Sequence, residues 1–148
     1  MRFFQGKTKK RRAMTIVETA LVLAAFLLLL FGIYEYSRLI FMKHLLDNSA
    51  REGARLAVVH TNDYTTAQVQ TQVTGTMANM QTQLSNVTIQ VFLADSNGNN
   101  IGNWTDAQFG QYIAVQIDGD FTPVLPTFLG MSATVHLRGK SVMYAEKN

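Results

Sequence analysis

The sequence contains one long apolar run, Met14–Tyr34, in which Glu18 is the only charged residue. A membrane-spanning helix needs about 20 apolar residues at a rise of about 1.5 Å per residue, and this run supplies that length. Proline is absent from the run and from the charged, small-residue segment that follows it, Leu39–Val59. The sequence therefore predicts one helix over residues 14–59, with its first half in a membrane and its second half outside.

Basic residues precede the apolar run and predict its orientation. Six of the thirteen Lys and Arg residues lie before Ala13, and no acidic residue accompanies them. Positively charged flanks stay on the cytoplasmic side of a membrane. We therefore expect a single-pass protein of the cytoplasmic (inner) membrane, with its N-terminus in the cytoplasm and its C-terminal domain outside. The net charge of +3 comes from this leader, so it does not indicate nucleic-acid binding.

Three kinds of targeting segment compete for residues 1–13. A secretory signal peptide has an apolar core of about 7–15 residues followed by a small-residue cleavage site. The core found here is longer and has no A-x-A triplet at its end. An uncleaved signal anchor fits, and a prepilin-type leader, which is cut before the helix at the Ala13–Met14 bond, fits better. The expected division is a basic leader at 1–13, the helix at 14–59 and a small extracytoplasmic domain at 60–148.

Glu18 is the residue of the apolar run that calls for an explanation. A charged side chain at the centre of a spanning helix costs roughly 2.5–3.5 kcal/mol, and less toward the interface. One interpretation is that Glu18 reaches the headgroups or takes up a proton. The other is that it meets a positive partner in an assembly. Cleavage at Ala13–Met14 would make Glu18 the fifth residue of the mature chain, and the new α-amine of Met14 on a neighbouring subunit is the natural counter-charge.

The second half of the predicted helix carries small residues at helical spacing. Such small-xxx-small rows let two helices approach closely, and glycine inside a helix costs about 1 kcal/mol relative to alanine unless a close contact requires it. Two partners are possible, the chain's own domain or another subunit, and we assign the face to subunit packing. The predicted helix-packing face consists of Ser49, Ala50, Gly53, Ala54 and Ala57.

These features together resemble the TadE-like family, the pseudopilins or minor pilins of tight-adherence (Tad/Flp pilus) systems. The resemblance is carried by Glu18, by the stretch Gly32–Arg38 (GIYEYSR) and by the stretch Asn48–Arg55 (NSAREGAR). The chain differs from the family pattern at Ala13, where glycine is usual, and at Thr19, where an aromatic residue is usual. The resemblance implies processing by a prepilin peptidase and a role in assembling an adhesive pilus with other pilin subunits and an inner-membrane assembly platform.

The remainder predicts a small α+β domain. Apolar residues recur every three or four positions from Val69 to Leu84, which indicates an amphipathic helix capped by Asp63 or Thr65. Alternating patterns predict about three antiparallel strands, at residues 87–93, 112–117 and 133–143. The segment between the first two strands is polar with a turn at Asn97-Gly98, and the connection at residues 121–130 has room for one helical turn. The fold class is α+β, with a long N-terminal helix, a second helix and a small sheet.

Candidate metal sites are weak. Asp95-Ser96-Asn97-Gly98-Asn99 resembles the start of a calcium loop, but Asp106 stands where the closing glutamate belongs, so a turn is the better interpretation. His44, His60 and His136 share no ligand spacing. We expect no metal and no cofactor.

Catalytic patterns are equally thin. Asp118 and Asp120 flank Gly119 at a strand end, but no acid–base partner can be identified for them. Trp104 is expected to cap the core, with a subunit or adhesive contact as the second interpretation. We therefore expect a structural protein and not an enzyme, namely a pseudopilin or minor pilin of a Tad-type (type IVb, Flp) pilus involved in adhesion or secretion. The alternative is a membrane-anchored periplasmic sensor or binding module that does not polymerise.

Overall fold

The computed structural model describes residues 6–59, 61, 63–78, 80–124, 130 and 132–146. It describes the side chains of these residues as well, except those of residues 6–12 and 81. These residues form two α-helices and four β-strands. Their bounds are α1 Gly6–Val59, α2 Thr66–Thr76, β1 Leu84–Ala94, β2 Asn100–Gly102, β3 Tyr112–Phe121 and β4 Val135–Tyr144. The predicted α+β fold, with a long first helix, a second helix and a small antiparallel sheet, is confirmed.

The sheet is antiparallel with the strand order β2-β1-β3-β4. Its three long strands are the three that alternating hydrophobicity predicts. Strands β1 and β3 are three to four residues longer than predicted at one end, whereas β4 begins two residues later than predicted and ends one residue later. The additional strand β2 has three residues and pairs only with Leu93 and Ala94. It lies in a segment predicted as loop, because three exposed residues carry no alternating pattern.

The chain divides into two compact units, Met1–Ser37 and Arg38–Asn148, and the boundary falls within α1. In the first unit every side chain of residues 13–31 is exposed, including the large apolar ones. By length and composition, one helix in the part that the structure describes can cross a membrane, and it lies within Ala13–Val59.

The second unit packs the remaining part of α1 against the sheet. Buried side chains recur on α1 at Met42, Leu46, Ala50, Ala54 and Ala57, all at most 1% exposed. Spacings of four, four, four and three residues place them on one face of the helix. The closest approach is at Gly139 of β4, where an added Cβ would lie 2.5 Å from the carbonyl carbon of Leu46. Glycine inside a strand marks such a close backbone approach.

The structure corrects the partner assigned to the predicted helix-packing face. Ser49, Ala50, Gly53, Ala54 and Ala57 are all buried inside the second unit. An added Cβ on Gly53 would meet Val73 of α2 at 2.4 Å and Val115 of β3 at 3.4 Å. The close contact therefore exists, but the chain makes it with its own domain and not with another subunit. Small residues at i, i+4 spacing permit a close approach without specifying the approaching surface.

Helix α2 is shorter than its apolar spacing predicts. Its N-cap is Thr65, which is one of the two residues predicted to cap this helix. Thr65 forms a capping box with Gln68. The helix ends at Thr76, and Ala78 takes a positive φ of 47°. Met80 begins a 3-10 turn and Leu84 begins β1. The apolar spacing continues past the helix end because this turn also directs its side chains onto the core.

Two further expectations concern single segments. Trp104 is fully buried, and its indole N–H donates to the Thr66 hydroxyl at 2.9 Å, so it caps the core. The helical turn expected in the 121–130 connection falls largely on residues 125–129, which lie outside the described residues, as does His60.

Candidate functional site

The exposed segment of α1, residues 13–34, is the first candidate site. Its surface is apolar and uncovered: Met14, Val17 and Leu21 are 76%, 68% and 70% exposed. These three side chains and Glu18 border one surface patch on the helix. A monomeric protein in water rarely exposes so much contiguous apolar area, and such areas mark contact with a membrane or with other proteins.

Two hydroxyl groups near this segment are satisfied within the helix. Thr19 donates its hydroxyl hydrogen to the carbonyl of Thr15 at 2.8 Å, and Ser37 donates to the carbonyl of Ile33 at 2.7 Å. These i−4 bonds let hydroxyl groups enter an apolar environment without an unmet donor. Neither residue therefore needs a partner from outside the helix.

Glu18 differs from these hydroxyl groups. In the part of the chain that the structure describes, its carboxylate has no hydrogen bond and no ion pair, although it is surrounded by apolar side chains. A carboxylate in an apolar environment is stable only if it is paired or takes up a proton. The segment thus leaves one strong acceptor available for a positive group from another molecule.

The predicted processing site lies next to this carboxylate. Ala13 and Met14 are both exposed, and both belong to α1. Met14 stands four residues before Glu18, so the two side chains lie on one face of the helix. The side chains on both sides of the Ala13–Met14 bond are therefore exposed, and the bond itself is part of the helical backbone.

The second candidate site is a polar cluster on the sheet face opposite α1. His136 Nδ1 lies 2.9 Å from Asp120 Oδ1, and its Nε2 lies 3.3 Å from Asp118 Oδ1. Arg138 Nε donates to Asp118 Oδ1 at 2.6 Å. The ladder brings these residues together, because β3 and β4 pair Asp120 with His136 and Asp118 with Arg138.

Hydrogen bonding in this cluster favours its charged forms. The hydrogen bond to Asp120, followed by those to Asp118, raises the pKa of His136 above its ordinary value. The pKa of Asp120 is lowered, chiefly by its hydrogen bonds from Asn86 and His136. Partial burial raises the pKa of Asp118, but hydrogen bonds from Arg138 and Gln116 outweigh it, so that pKa is lowered. The cluster is thus an ion-pair network between strands.

Sequence reasoning treated these residues separately. From the sequence, no acid–base partner can be identified for Asp118 and Asp120, and His136 shares no ligand spacing with the other histidines. In the structure, the His136 imidazole contacts both carboxylates. The sequence carries one indication of this cluster, the alternation of side chains along a strand. Residues 118 and 120 share one face of β3, and residues 136 and 138 share one face of β4. The register that places the two rows side by side could not be read from the sequence.

Metal ligation is not indicated at either site. Among the residues that the structure describes, no group of three or more His, Asp or Glu side chains is arranged to hold a metal ion. The Asp95 loop is a turn: the Asp95 carboxylate accepts the backbone N–H groups of Asn97 at 2.8 Å and Asn99 at 2.7 Å. These bonds, led by that from Asn99, lower the pKa of Asp95.

Comparison with known proteins bears on the first site. The sequence model of the TadE-like protein family matches residues 13–55, which confirms the resemblance over that segment. The match includes Ala13, Met14, Glu18 and most of the small-residue face, and it ends before α2. No curated protein and no solved structure matches the chain.

Proposed function

We propose that this chain is a pseudopilin or minor pilin that takes part in assembling a Tad-type (type IVb, Flp) pilus used in adhesion or secretion. The observation that carries the proposal is the unpaired Glu18 carboxylate in an exposed apolar helix. The TadE-like match over residues 13–55, which includes Glu18, supports it and associates the chain with the Tad system.

In this proposal the exposed segment has two successive environments. Before assembly, residues 14–34 lie in the inner membrane, with the basic leader in the cytoplasm and the second unit outside. During assembly the segment leaves the lipid and packs against other subunits, and the inner-membrane assembly platform acts on it. The apolar surface suits both environments, since neither lipid nor a helix bundle requires polar side chains.

Cleavage of the Ala13–Met14 bond by a prepilin peptidase would supply the missing charge. The new α-amine of Met14 is positive, and an intramolecular contact with Glu18 is unfavourable because both lie on one rigid helix. A neighbouring subunit shifted along the helix axis brings its amine to Glu18. An ion pair in an apolar environment is strong, and breaking it leaves a buried charge, so the pair would fix the axial register of the subunits.

The buried small-residue face limits where subunits touch. Ser49, Ala50 and Ala54 are fully covered by the chain's own second unit, so they are not free to contact another subunit. Contacts between subunits through α1 are therefore assigned to the exposed residues 13–34. The chain acts by packing, and no enzymatic activity is proposed for it.

The first test is the intact mass of the protein extracted from membranes. A processed pilin has lost residues 1–13, whereas a membrane-anchored sensor or binding module that does not polymerise keeps them. We expect the shorter mass in cells that contain the prepilin peptidase and the full-length mass in cells that lack it. A full-length mass in both strains contradicts processing.

The second test separates the Glu18 charge from a general effect of mutation. Glu18→Gln should abolish or strongly reduce piliation, because the amide cannot pair with an amine cation. Glu52→Gln is the matched control on the same helix, where the carboxylate forms only an exposed pair with Arg55 at 3.1 Å. Equal piliation of both variants, at wild-type level, would refute the assembly mechanism.

A further inference from the structure

The two edges of the sheet are protected to different degrees. At the β1 edge, β2 pairs with the last residues of the strand, and the Gln70 side-chain amide of α2 donates to the Ile89 carbonyl at 2.8 Å. At the other edge, β4 is ten residues long and pairs only with β3 among the residues that the structure describes. Proteins generally cover or interrupt long edge strands, because their unpaired backbone groups bind other strands.

The outward-facing groups of β4 can be identified from hydrogen bonds at its ends. Ala145 exchanges both backbone bonds with the β3 side, donating to Gln111 at 2.8 Å and accepting from Gly110 at 3.0 Å. Because backbone groups alternate in direction along a strand, the N–H and C=O groups of the even-numbered residues of β4 face away from β3. The Arg138 carbonyl confirms this phase, since it accepts the Lys43 ammonium from α1 at 2.7 Å.

The open part of the edge is therefore defined by alternate residues. The residues whose N–H and C=O groups face outward are His136, Arg138, Lys140, Val142 and Tyr144. In the described part of the chain, only the Arg138 carbonyl among these backbone groups has a partner. The open stretch ends at Glu146, whose N–H donates to the Val58 carbonyl at 3.0 Å.

Charged side chains often block an edge strand, but those of β4 are directed back over the sheet. Arg138 bonds to Asp118 on β3. The Lys140 ammonium lies 5.7 Å from the centre of the Phe92 ring on β1 and donates to the Gly98 carbonyl. The backbone of the edge is thus left accessible, with a basic row beside it.

We propose that the β4 edge binds an extended strand of another protein whose side chains beside Arg138 and Lys140 are acidic. Opposite charges on neighbouring strands stabilise their pairing, and like charges oppose it. Strand β3 already shows the matching pattern, with Asp118 beside Arg138 and Asp120 beside His136. Further along, Val142 and Tyr144 are 38% and 58% exposed and accept apolar side chains.

The charge pattern also bears on which partner is excluded. A second copy of β4 paired antiparallel with its centre opposite the centre of this strand would bring Arg138 and Lys140 beside their own copies, which disfavours those registers of self-pairing. The partner binds through its backbone to the edge and is selected by its carboxylates. This proposal is independent of the function proposed above, because the edge lies wholly in the second unit and involves neither cleavage nor Glu18.

Residue-resolved hydrogen exchange tests the proposal on the full chain in detergent micelles. The probes are two synthetic peptides of about ten residues, one alternating valine with aspartate and one alternating valine with lysine. In the free protein, the outward amides of Lys140 and Val142 should exchange much faster than the inward amides of Gly139 and Ser141. The aspartate peptide should slow the outward amides by about tenfold or more, and the lysine peptide should leave them unchanged.

Two variants check the role of charge. Lys140→Glu should remove protection by the aspartate peptide and create protection by the lysine peptide. Gln90→Glu makes a charge change on the same sheet face two strands away and should leave the response unchanged. Trp104 fluorescence reports whether each variant is folded. Three results would overturn the proposal: outward amides that are already protected in the free protein, no protection by the aspartate peptide, or equal protection by both peptides. Protection that depends on protein concentration without any peptide would also overturn it, because it would indicate self-pairing instead.

Discussion

The two parts of α1 on either side of the unit boundary belong to one helix but present opposite surfaces. Before the boundary, Leu21 and Phe26 are 70% and 54% exposed; after it, Leu46, Ala50 and Ala54 are fully buried. The first part bears large apolar side chains on all sides. The second buries one face, on which Met42 and Leu46 are followed by small residues. One helix thus carries an uncovered apolar surface in its first part and a face buried in the chain's own core in its second part.

This difference changes how the small residues should be interpreted. In membrane helices, small residues at i, i+4 are associated with contacts between helices. In this chain they lie after the apolar run, and the sheet and α2 occupy the space that they leave. Large exposed side chains, and not small ones, therefore mark the part of α1 that the chain's own domain leaves uncovered.

The largest effect is expected from filling the close contact between α1 and β4, where the obstacle is backbone. In Gly139→Ala, the new Cβ would lie within 2.7 Å of three Leu46 atoms, two of them backbone atoms that cannot rotate away. Overpacking typically costs about 1–3 kcal/mol and occasionally more, so we expect a loss of about 3 kcal/mol in the free energy of unfolding. Urea unfolding followed by fluorescence of Trp104, the single tryptophan, measures it.

The control for this change is Gly102→Ala, whose new Cβ would have Leu93 as nearest neighbour at 3.9 Å. It should shift the free energy of unfolding by well under 1 kcal/mol. If the two variants were equally stable, the close approach of α1 to β4 would be wrong.

A smaller loss is expected at Gly53, where the obstacle is a side chain. The Cβ of Gly53→Ala would meet the Val73 methyl at 2.4 Å, and the β-branched valine has little freedom to move. Overpacking outweighs the helix propensity gained, so we expect a net loss of about 1–2 kcal/mol. Gly75→Ala in α2 has no atom within 4 Å of its new Cβ and should instead gain about 0.5–1 kcal/mol. Stabilisation by both changes would show that the small-residue face is not buried in the chain's own domain.

Serine substitutions compare the two parts of α1 directly. Ser49 is buried, and its hydroxyl has no hydrogen-bond partner in the part of the chain that the structure describes. Burying an unpaired hydroxyl costs about 1–3 kcal/mol, so Ser49→Ala should raise the free energy of unfolding by about 1 kcal/mol. Ser37→Ala removes an exposed, internally bonded hydroxyl and should change it by less than about 0.5 kcal/mol. A loss at Ser49 would indicate a partner for its hydroxyl.

The smallest effect is expected on the sheet face that α1 does not cover. The raised pKa of His136 means that its contribution is complete below pH 6.5 and is lost as the pH rises through the folded-state value. The lowered pKa values of Asp118 and Asp120 mean that their contributions are present above pH 3.8 and are lost in acid below it. His136→Gln should flatten the decline of Tm above pH 6.5, by a few degrees at most, because the pairs are exposed. An unchanged pH profile would contradict the network.

Local patterns predicted the elements that depend on neighbours in sequence. The uninterrupted apolar run predicted α1 from residue 14 onward, alternation predicted β1, β3 and β4, and Asp63 or Thr65 was expected to cap α2, of which Thr65 does so. The Asn97-Gly98 turn was likewise readable, because Asp95 bonds to residues only two and four positions away. Each of these features is decided within a few residues.

Features that depend on distant pairing were not readable. The end of α2 was missed because apolar spacing continues through the turn at Ala78. The partner of the small-residue face depends on how α1 meets α2 and β3. The contact of His136 with Asp118 and Asp120 depends on the register between β3 and β4, which are joined by a connection of more than ten residues. In each case the sequence identified a surface without its counterpart.

The central claim is that the exposed part of α1 contacts other subunits and the buried part does not. The chain has no cysteine, so single cysteines can be placed on each part without background: Ala20→Cys on the exposed part, and the nearly isosteric Ser49→Cys on the buried part. Thiol cross-linking of assembled pili should join Ala20→Cys subunits to neighbours and leave Ser49→Cys subunits monomeric. Efficient cross-linking through Ser49→Cys, with none through Ala20→Cys, would contradict the account.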